Sequence, residues 1–259
     1  MNLDPVTSIE IADETFVVGR RQLLGDGSAL PVTAVVIRGP QPLVVGAGAA
    51  TRRAVGDLVP LDELRWVFLS NDRPEHTSGL SALLGAGARV EVATTWLNRQ
   101  VLAAGGVTVP QDRWQQIAVG DVLDTGDRAL SIERPPLHVL PTTVGLLDTN
   151  TAVLWSAECW SAPFADAPAI LGDEHLDAWR DAFVRFHHWL CPWVHAVDPA
   201  WWQRAVDRVA RRGLAAIVPA YGPVLVGDHV DMAIEALREL PMLPPTPMGD
   251  SPAEHTDPR

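Results

Sequence analysis

The chain has 259 residues, of which 47% are hydrophobic and 20% are charged, a composition typical of globular domains. All 20 basic residues are arginine and none is lysine. Because arginine stays protonated, it cannot replace lysine in a phosphate-binding loop, in a Schiff base or as a general base, so these mechanisms are excluded. The net charge of −12 argues against a nucleic-acid partner, since nucleic acids are bound by basic surfaces.

The sequence predicts a cytoplasmic protein with one domain and a tail. Residues 1–14 are acidic and lack the basic and apolar segments of a signal peptide. No stretch approaches the ~20 apolar residues of a membrane helix, so we expect no membrane partner. We expect the domain over residues 1–240 and a disordered tail over 241–259, a segment rich in proline. Cys159 and Cys191 are too few for a disulfide framework, and we expect both to be thiols in the core.

Strands dominate the first half of the chain, and helices dominate the second. The β-branched runs at 14–19, 31–38 and 42–45 predict strands, and the apolar run Arg65–Leu69 predicts a strand buried on both faces. The other predicted elements are a helix at 78–84, a strand at 89–93, a helix at 95–104, strands between 115 and 155, helices at 175–189 and 198–212, a strand at 214–219 and a helix at 230–240. This order favours two sheets, each covered by helices, in a four-layer αββα domain.

The loop that follows the buried strand is rich in polar residues. It reads Asn71-Asp72-Arg73-Pro74-Glu75-His76 and precedes an apolar helix. Polar side chains at the carboxyl end of a strand commonly build a ligand site. Three later segments enter the comparison that follows: Pro136-Leu137-His138, Val153–Glu158 and Ile217–Pro223, which contains Tyr221.

In order and spacing, these four segments resemble the ligand motifs of the metallo-β-lactamase fold, in particular the oxygen-reducing diiron domain of flavodiiron proteins. The resemblance covers roughly residues 10 to 240 and implies the αββα fold for the whole domain. In that family the first loop reads H-x-E-x-D-H. The positions of the family's ligands are occupied here, in chain order, by Asn71, Arg73, Glu75, His76, His138, Glu158 and Tyr221.

The resemblance divides these positions between two metal sites that share Glu158. The first site would use Asn71, Arg73, His138 and Glu158, and the second would use Glu75, His76, Tyr221 and Glu158. An amide is a poor ligand for a transition metal and a guanidinium offers no lone pair, so we expect the first site to be broken. Gly46 stands where the family has a supporting Asp, which removes an orienting group as well. One Fe or Zn ion at the second site remains chemically feasible.

Two functions are consistent with this interpretation of the ligand positions. In the first, the protein is a metal-dependent hydrolase or oxidoreductase with one metal ion, and His138 is the general acid or base. In the second, it is a catalytically inactive relative whose pocket binds a ligand or partner. There Arg73 is an internal cation that replaces the first metal and pairs with Glu158. No flavin site is expected in this chain, so a redox role would require a separate electron donor, and the sequence does not identify a substrate.

A group of aromatic residues lies in the helical half of the chain. We expect it to pack between two helices, although its density would also suit a homodimer surface, because Trp is enriched at interface centres. Its members are Trp189, Trp193, Trp201 and Trp202. The adjacent His187 and His188 point to different faces of their helix, so we expect them to be structural residues rather than ligands of one metal.

Overall fold

The computed structural model describes residues 7–23, 29–48, 51–86 and 89–245 and confirms the mixed α/β architecture. Its strands are β1 (Thr7–Ala12), β2 (Thr15–Leu23), β3 (Ala29–Ile37), β4 (Leu43–Val45), β5 (Trp66–Phe68), β6 (Glu91–Thr95), β7 (Trp114–Ile117), β8 (Val122–Asp124), β9 (Ala129–Glu133), β10 (Gly145–Asp148), β11 (Val153–Trp155), β12 (Ala216–Val218) and β13 (Leu225–Val226). Its α-helices are α1 (Thr51–Leu58), α2 (Pro74–Thr77), α3 (Leu80–Ala86), α4 (Trp96–Ala104), α5 (Leu176–Leu190), α6 (Pro199–Ala210) and α7 (Asp228–Glu239).

The strands form two sheets. The first sheet has the order β1-β2-β3-β4-β5-β6-β7, with antiparallel pairs up to β4 and parallel pairs from β4 to β7. The second has the order β13-β12-β11-β10-β9-β8, and its one parallel pair among the described residues is β11 with β12. Parallel strands end at the same edge of a sheet, so the loops after β5, β11 and β12 lie at such edges.

Three apolar clusters separate four layers. Phe68 of β5 and Trp155 of β11 belong to the cluster between the two sheets, whereas Val67 of β5 faces the helices α1, α3 and α4. This alternation explains why the predicted strand is apolar from Trp66 to Leu69, because both of its faces are buried. The helices α5, α6 and α7 cover the outer face of the second sheet. The observed layers are therefore the predicted αββα arrangement.

The helices of the second half follow from local signals. Helix α6 begins after Asp198, whose carboxylate accepts a hydrogen bond from the Trp201 amide at 2.6 Å, with Pro199 in the first turn. Helix α5 buries Trp179 and Phe183 on one face, as its apolar periodicity predicts.

Strand β1 and helix α1 are among the elements that the sequence did not predict. Strand β1 extends the first sheet at its edge, although its sequence, TSIEIA, is short and half polar. Helix α1 has the sequence TRRAVGDL, which contains few apolar residues and a glycine, and it is stabilised by packing of Val55 rather than by helix propensity. Of the expected tail, residues 246–259 lie outside the described residues. No helix in the described ranges is long and apolar enough to span a bilayer.

Candidate functional site

The family's ligand positions converge where strands of both sheets end. Asn71 follows β5 in the first sheet, and Glu158 and Tyr221 follow β11 and β12 in the second. The indole Nε1 of Trp155 donates a hydrogen bond to Ser70 Oγ at 2.5 Å, which ties the end of β11 to the loop after β5. These side chains are therefore held by the rigid core of the sandwich rather than by a free loop.

The segment before Tyr221 is anchored to the first sheet. The amide of Thr33 in β3 donates to the Ala220 carbonyl at 2.9 Å, and the Thr33 hydroxyl donates to the Pro219 carbonyl. The Tyr221 amide donates to Ser161 Oγ at 3.2 Å. Since Tyr221 is fixed from two sides, its ring enters the site in one orientation.

A charged network joins Arg73, Glu75 and Tyr221. Glu75 Oε1 accepts hydrogen bonds from Arg73 Nε at 2.8 Å and from the Tyr221 hydroxyl at 2.7 Å. Burial alone would raise the pKa of Glu75, but the hydrogen bonds from Tyr221 and Arg73 lower it below its ordinary value. Burial raises the pKa of the Tyr221 phenol well above its usual range. At neutral pH the network therefore consists of a guanidinium, a carboxylate and a protonated phenol.

Glu158 pairs with Asn71 rather than with Arg73. Asn71 Nδ2 donates to Glu158 Oε1 at 2.5 Å, whereas Arg73 forms its ion pair with Glu75. The prediction that Arg73 pairs with Glu158 is therefore wrong, because the partner of Arg73 is Glu75. Burial alone would lower the pKa of Arg73. The negative charges around it, that of Glu158 included, raise this pKa above its ordinary value, so Arg73 still lies close to Glu158.

The second oxygen of Glu158 lacks a hydrogen bond. Oε2 is buried and has no partner among the residues that the structure describes. Burial raises the pKa of Glu158, although the hydrogen bond from Asn71 partly opposes this shift. The backbone that presents Glu158 is strained, because Ala157 lies in the left-handed region at φ 52° and the Ala220 amide donates to its carbonyl at 2.7 Å.

His76 is buried beneath the network. Its ring lies edge-on to Trp155 at 6.0 Å between centroids and tilted against Tyr221 at 5.6 Å. A Cβ placed at Gly46 would lie 3.6 Å from His76 Nδ1. A side chain at position 46 would therefore contact His76, in agreement with the supporting role that the resemblance gives this position. Gly46 itself has φ +79°, a conformation that favours glycine.

The ring contacts of His138 are with the loop before it and with Trp193. Its Nδ1 is 3.3 Å from the Pro135 carbonyl, and its ring is 5.8 Å from that of Trp193. Burial lowers the pKa of His138, and the positive charge of Arg134 lowers it further. Within the described residues, no hydrogen bond joins His138 to Glu75 or Glu158. Its predicted catalytic role stays a prediction.

The residues present do not fit the metal centre that the resemblance implies. Asn71 uses its amide as a donor, and Arg73 brings a positive charge to the site. The Tyr221 hydroxyl donates to Glu75, whereas a phenolate ligand would have to lose that proton. Across the described ranges, no three His, Cys, Asp or Glu side chains are grouped closely enough to hold a metal ion.

Several residues around the site were not assigned a role in it from the sequence. His187 was predicted to be structural; it is fully buried, and its ring nitrogens lie 2.9 Å from the Phe183 carbonyl and 3.2 Å from the Glu158 carbonyl. Burial lowers the pKa of His187 to about 4, so the ring is neutral. No sequence signal could have placed it behind Glu158, because the contact depends on how α5 packs on the second sheet.

The remaining expectations concern the cysteines and the tryptophans. Cys159 and Cys191 are both buried and free. The tryptophan group is divided, because Trp202 is buried while Trp189 and Trp201 are exposed. The exposed members leave the homodimer surface as a prediction.

Comparisons with known proteins support the same fold. No protein-family profile matches the sequence, and no curated protein matches it. Among solved structures, the chain is similar to a fragment of a diflavin flavoprotein from Nostoc sp., with TM-score 0.75 and 15% identity over 92% of this chain and 96% of that one. It is also similar to the flavodiiron protein from Giardia intestinalis, with TM-score 0.77 and 16% identity over 93% of this chain and 60% of that one.

A third similar structure is the rubredoxin oxygen:oxidoreductase from Desulfovibrio gigas, with TM-score 0.74 and 17% identity over 90% of this chain and 61% of that one. The chain thus spans about three fifths of the length of the last two proteins. These similarities confirm the resemblance in fold. At such low identity they carry no information on activity, substrate or partners.

Proposed function

We propose that the chain is a catalytically inactive relative of the flavodiiron diiron domain, which binds a ligand or partner through a site that holds no metal. In this proposal the guanidinium of Arg73 supplies the positive charge that a metal ion supplies in the family's site. The observation that carries the proposal is the ion pair between Arg73 Nε and Glu75 Oε1 at 2.8 Å. It engages a carboxylate that would otherwise be a metal ligand.

The second carboxylate supports the same view. Glu158 is fully buried, and burial raises its pKa, so its protonated form is favoured relative to an exposed glutamate. A metal ligand must give up its proton, and burial opposes that loss at Glu158, although the hydrogen bond from Asn71 favours the carboxylate. With Arg73 neutralising Glu75, the site has little unbalanced charge left to attract a cation.

The alternative is a metal-dependent hydrolase or oxidoreductase with one Fe or Zn ion held by Glu75, His76 and Glu158. A metal ion on Glu75 Oε1 would require Arg73 and Tyr221 to release that atom, which breaks two hydrogen bonds in a largely buried network. The proposal therefore rests on the cost of disrupting the two contacts that Oε1 already makes.

Metal analysis of the purified protein tests the proposal. We expect wild-type protein from iron- and zinc-supplemented cultures to contain well below ~0.1 metal ion per chain, because two of its ligand positions are an amide and a guanidinium. The double variant Asn71→His/Arg73→Glu restores an imidazole and a carboxylate, and we expect it to gain iron or zinc. A stoichiometric metal ion in wild-type protein that is lost in Glu75→Gln would instead support the mononuclear enzyme.

A matched control separates a built site from adventitious binding. The variant Gln115→His/Arg113→Glu introduces the same two residue types at the same spacing on a different surface, and we expect it to gain no metal. If the control gains as much metal as the site variant, the added side chains themselves explain the gain, and the assignment of positions 71 and 73 is contradicted.

A further inference from the structure

A cleft of about 470 Å³ opens beside the candidate site, between strands β1 to β3 and the segment 166–170. Its apolar lining includes Ile9, Ile11, Val17, Val32, Ile170 and Val224. Val17, Val32 and Val224 also belong to the cluster between the sheets, so the cleft reaches the core of the sandwich. None of the seven family ligand positions lines the cleft, although Gly222, the neighbour of Tyr221, does.

Arg21 places a positive charge on the side of strand β2 that faces the cleft. Val17, Gly19 and Arg21 occupy alternate positions of β2 and therefore lie on the same face, and all three line the cleft. Arg21 is the outermost of the three, so its charge is placed at one end of an apolar surface. A concave, mostly apolar wall with a few polar groups is typical of small-molecule sites, and such sites have volumes of roughly 300–1,000 Å³.

The ion pair that Arg21 forms in the structure is weak. Arg21 Nη2 lies 4.0 Å from Asp166 Oδ1, and the two side chains are 42% and 97% exposed. Exposed pairs at this separation contribute little, so Asp166 can be displaced from the guanidinium without a large loss. A carboxylate can bind a guanidinium through two parallel hydrogen bonds, which this separated pair does not achieve.

We propose that the cleft binds an amphiphilic monocarboxylate, a molecule with an unbranched apolar body of the fatty-acid type. The apolar body lies against Ile11, Val17 and Ile170, and the carboxylate takes the place of Asp166 on Arg21. This proposal concerns a site separate from the Arg73 network, and it holds whether or not the protein binds a metal.

Calorimetric titration with decanoate and decan-1-ol tests the proposal, because the two probes share an apolar body and differ in charge. We expect saturable binding of decanoate below its micelle concentration and weaker binding of decan-1-ol. The variant Arg21→Gln should weaken decanoate binding about tenfold and leave decan-1-ol unchanged, because only the carboxylate uses the guanidinium. Asp166→Asn should tighten decanoate binding, since it removes the competing carboxylate.

Two further variants keep the test specific. Arg180→Gln removes an arginine from another exposed ion pair, that with Glu239, and should leave decanoate affinity unchanged. Ala169→Trp places a large side chain at the exposed lining position 169 and should weaken binding of both probes. Absence of saturable decanoate binding would overturn the proposal, as would equal affinities for the two probes, an Arg21→Gln variant indistinguishable from wild type, or undiminished binding by Ala169→Trp.

Discussion

Replacing Arg73 by Met tests the role of its ion pair in stability, because Met keeps an apolar stem and removes the charge. The chain offers a matched control in Arg180→Met. Arg180 Nη2 lies 2.8 Å from Glu239 Oε2, the same distance that separates Arg73 Nε from Glu75 Oε1. The two pairs differ in exposure, at 33% and 12% for Arg73 and Glu75 but 57% and 47% for Arg180 and Glu239.

The expected magnitudes follow from this difference in burial. Breaking a buried pair costs about 3–5 kcal/mol, and an exposed pair contributes about 0.2–1 kcal/mol. Arg73 is one third exposed and Tyr221 still donates to Glu75 in the variant, so we expect Arg73→Met to lower the free energy of unfolding by about 2 kcal/mol. For Arg180→Met we expect about 0.5 kcal/mol. At roughly 2–4 °C per kcal/mol, the first loss lowers Tm by about 4–8 °C.

Urea unfolding at pH 7 measures both losses, and a double-mutant cycle with Glu75→Gln isolates the pair. The folded-state pKa of Glu75 is lowered, so its contribution is present above the unfolded pKa and is lost as the pH falls through the folded value. The cost of Arg73→Met should therefore shrink in acid. Equal losses for Arg73→Met and Arg180→Met, or a coupling energy near zero in the cycle, would refute the reasoning.

Three further predictions concern buried groups near the site. His187 has a folded pKa of about 4 against an ordinary 6.5, so its neutral form contributes stability that is present above pH 6.5 and lost as the pH falls toward 4. When the pH is lowered from 7 to 4, the free energy of unfolding of His187→Gln should therefore rise by about 3 kcal/mol relative to that of wild type, as measured by chemical unfolding. A difference that does not change with pH would contradict this. Burial raises the pKa of Glu158, so its protonated carboxyl contributes stability that is present below the unfolded pKa and is lost as the pH rises through the folded pKa. Glu158→Gln should therefore become progressively more stable relative to wild type as the pH rises above the unfolded pKa, and a pH-independent difference would be inconsistent with this burial effect. A Cβ at Gly79 would overlap the backbone of Gly48, so Gly79→Ala should lower the free energy of unfolding by about 1–3 kcal/mol. Gly85→Ala meets no atom within 4 Å and should raise it by up to ~1 kcal/mol, and similar effects of the two substitutions would show that the overlap is relieved.

Much of the fold is readable from local patterns. The apolar run at β5, the periodicity of α5 and the Asp-Pro start of α6 each depend on residues close together in sequence, and the structure contains all three elements. Strand β1 and helix α1 were missed because their sequences favour neither state strongly. They are fixed by pairing and packing with distant residues, which a local pattern does not contain.

The sequence singled out five of the residues that contact one another here, but it did not predict the contacts themselves. The resemblance singled out seven positions, and the structure brings Arg73, Glu75 and Tyr221 into one network and Asn71 and Glu158 into a pair. Which carboxylate Arg73 would choose could not be read from the sequence, since both partners lie within reach of a flexible side chain. In the structure Asn71 donates to Glu158, and Arg73 pairs with Glu75.

The most direct test of the central claim is a crystal structure of the wild-type protein grown with excess ferrous iron or zinc, with anomalous difference maps at the absorption edge of each metal. We predict no anomalous peak within bonding distance, about 2.0–2.2 Å, of the site's carboxylates and imidazoles. We also predict that Arg73 Nε remains hydrogen-bonded to Glu75. A metal ion bonded to both His138 and Glu158, with Arg73 turned away from the site, would show that the site still binds metal.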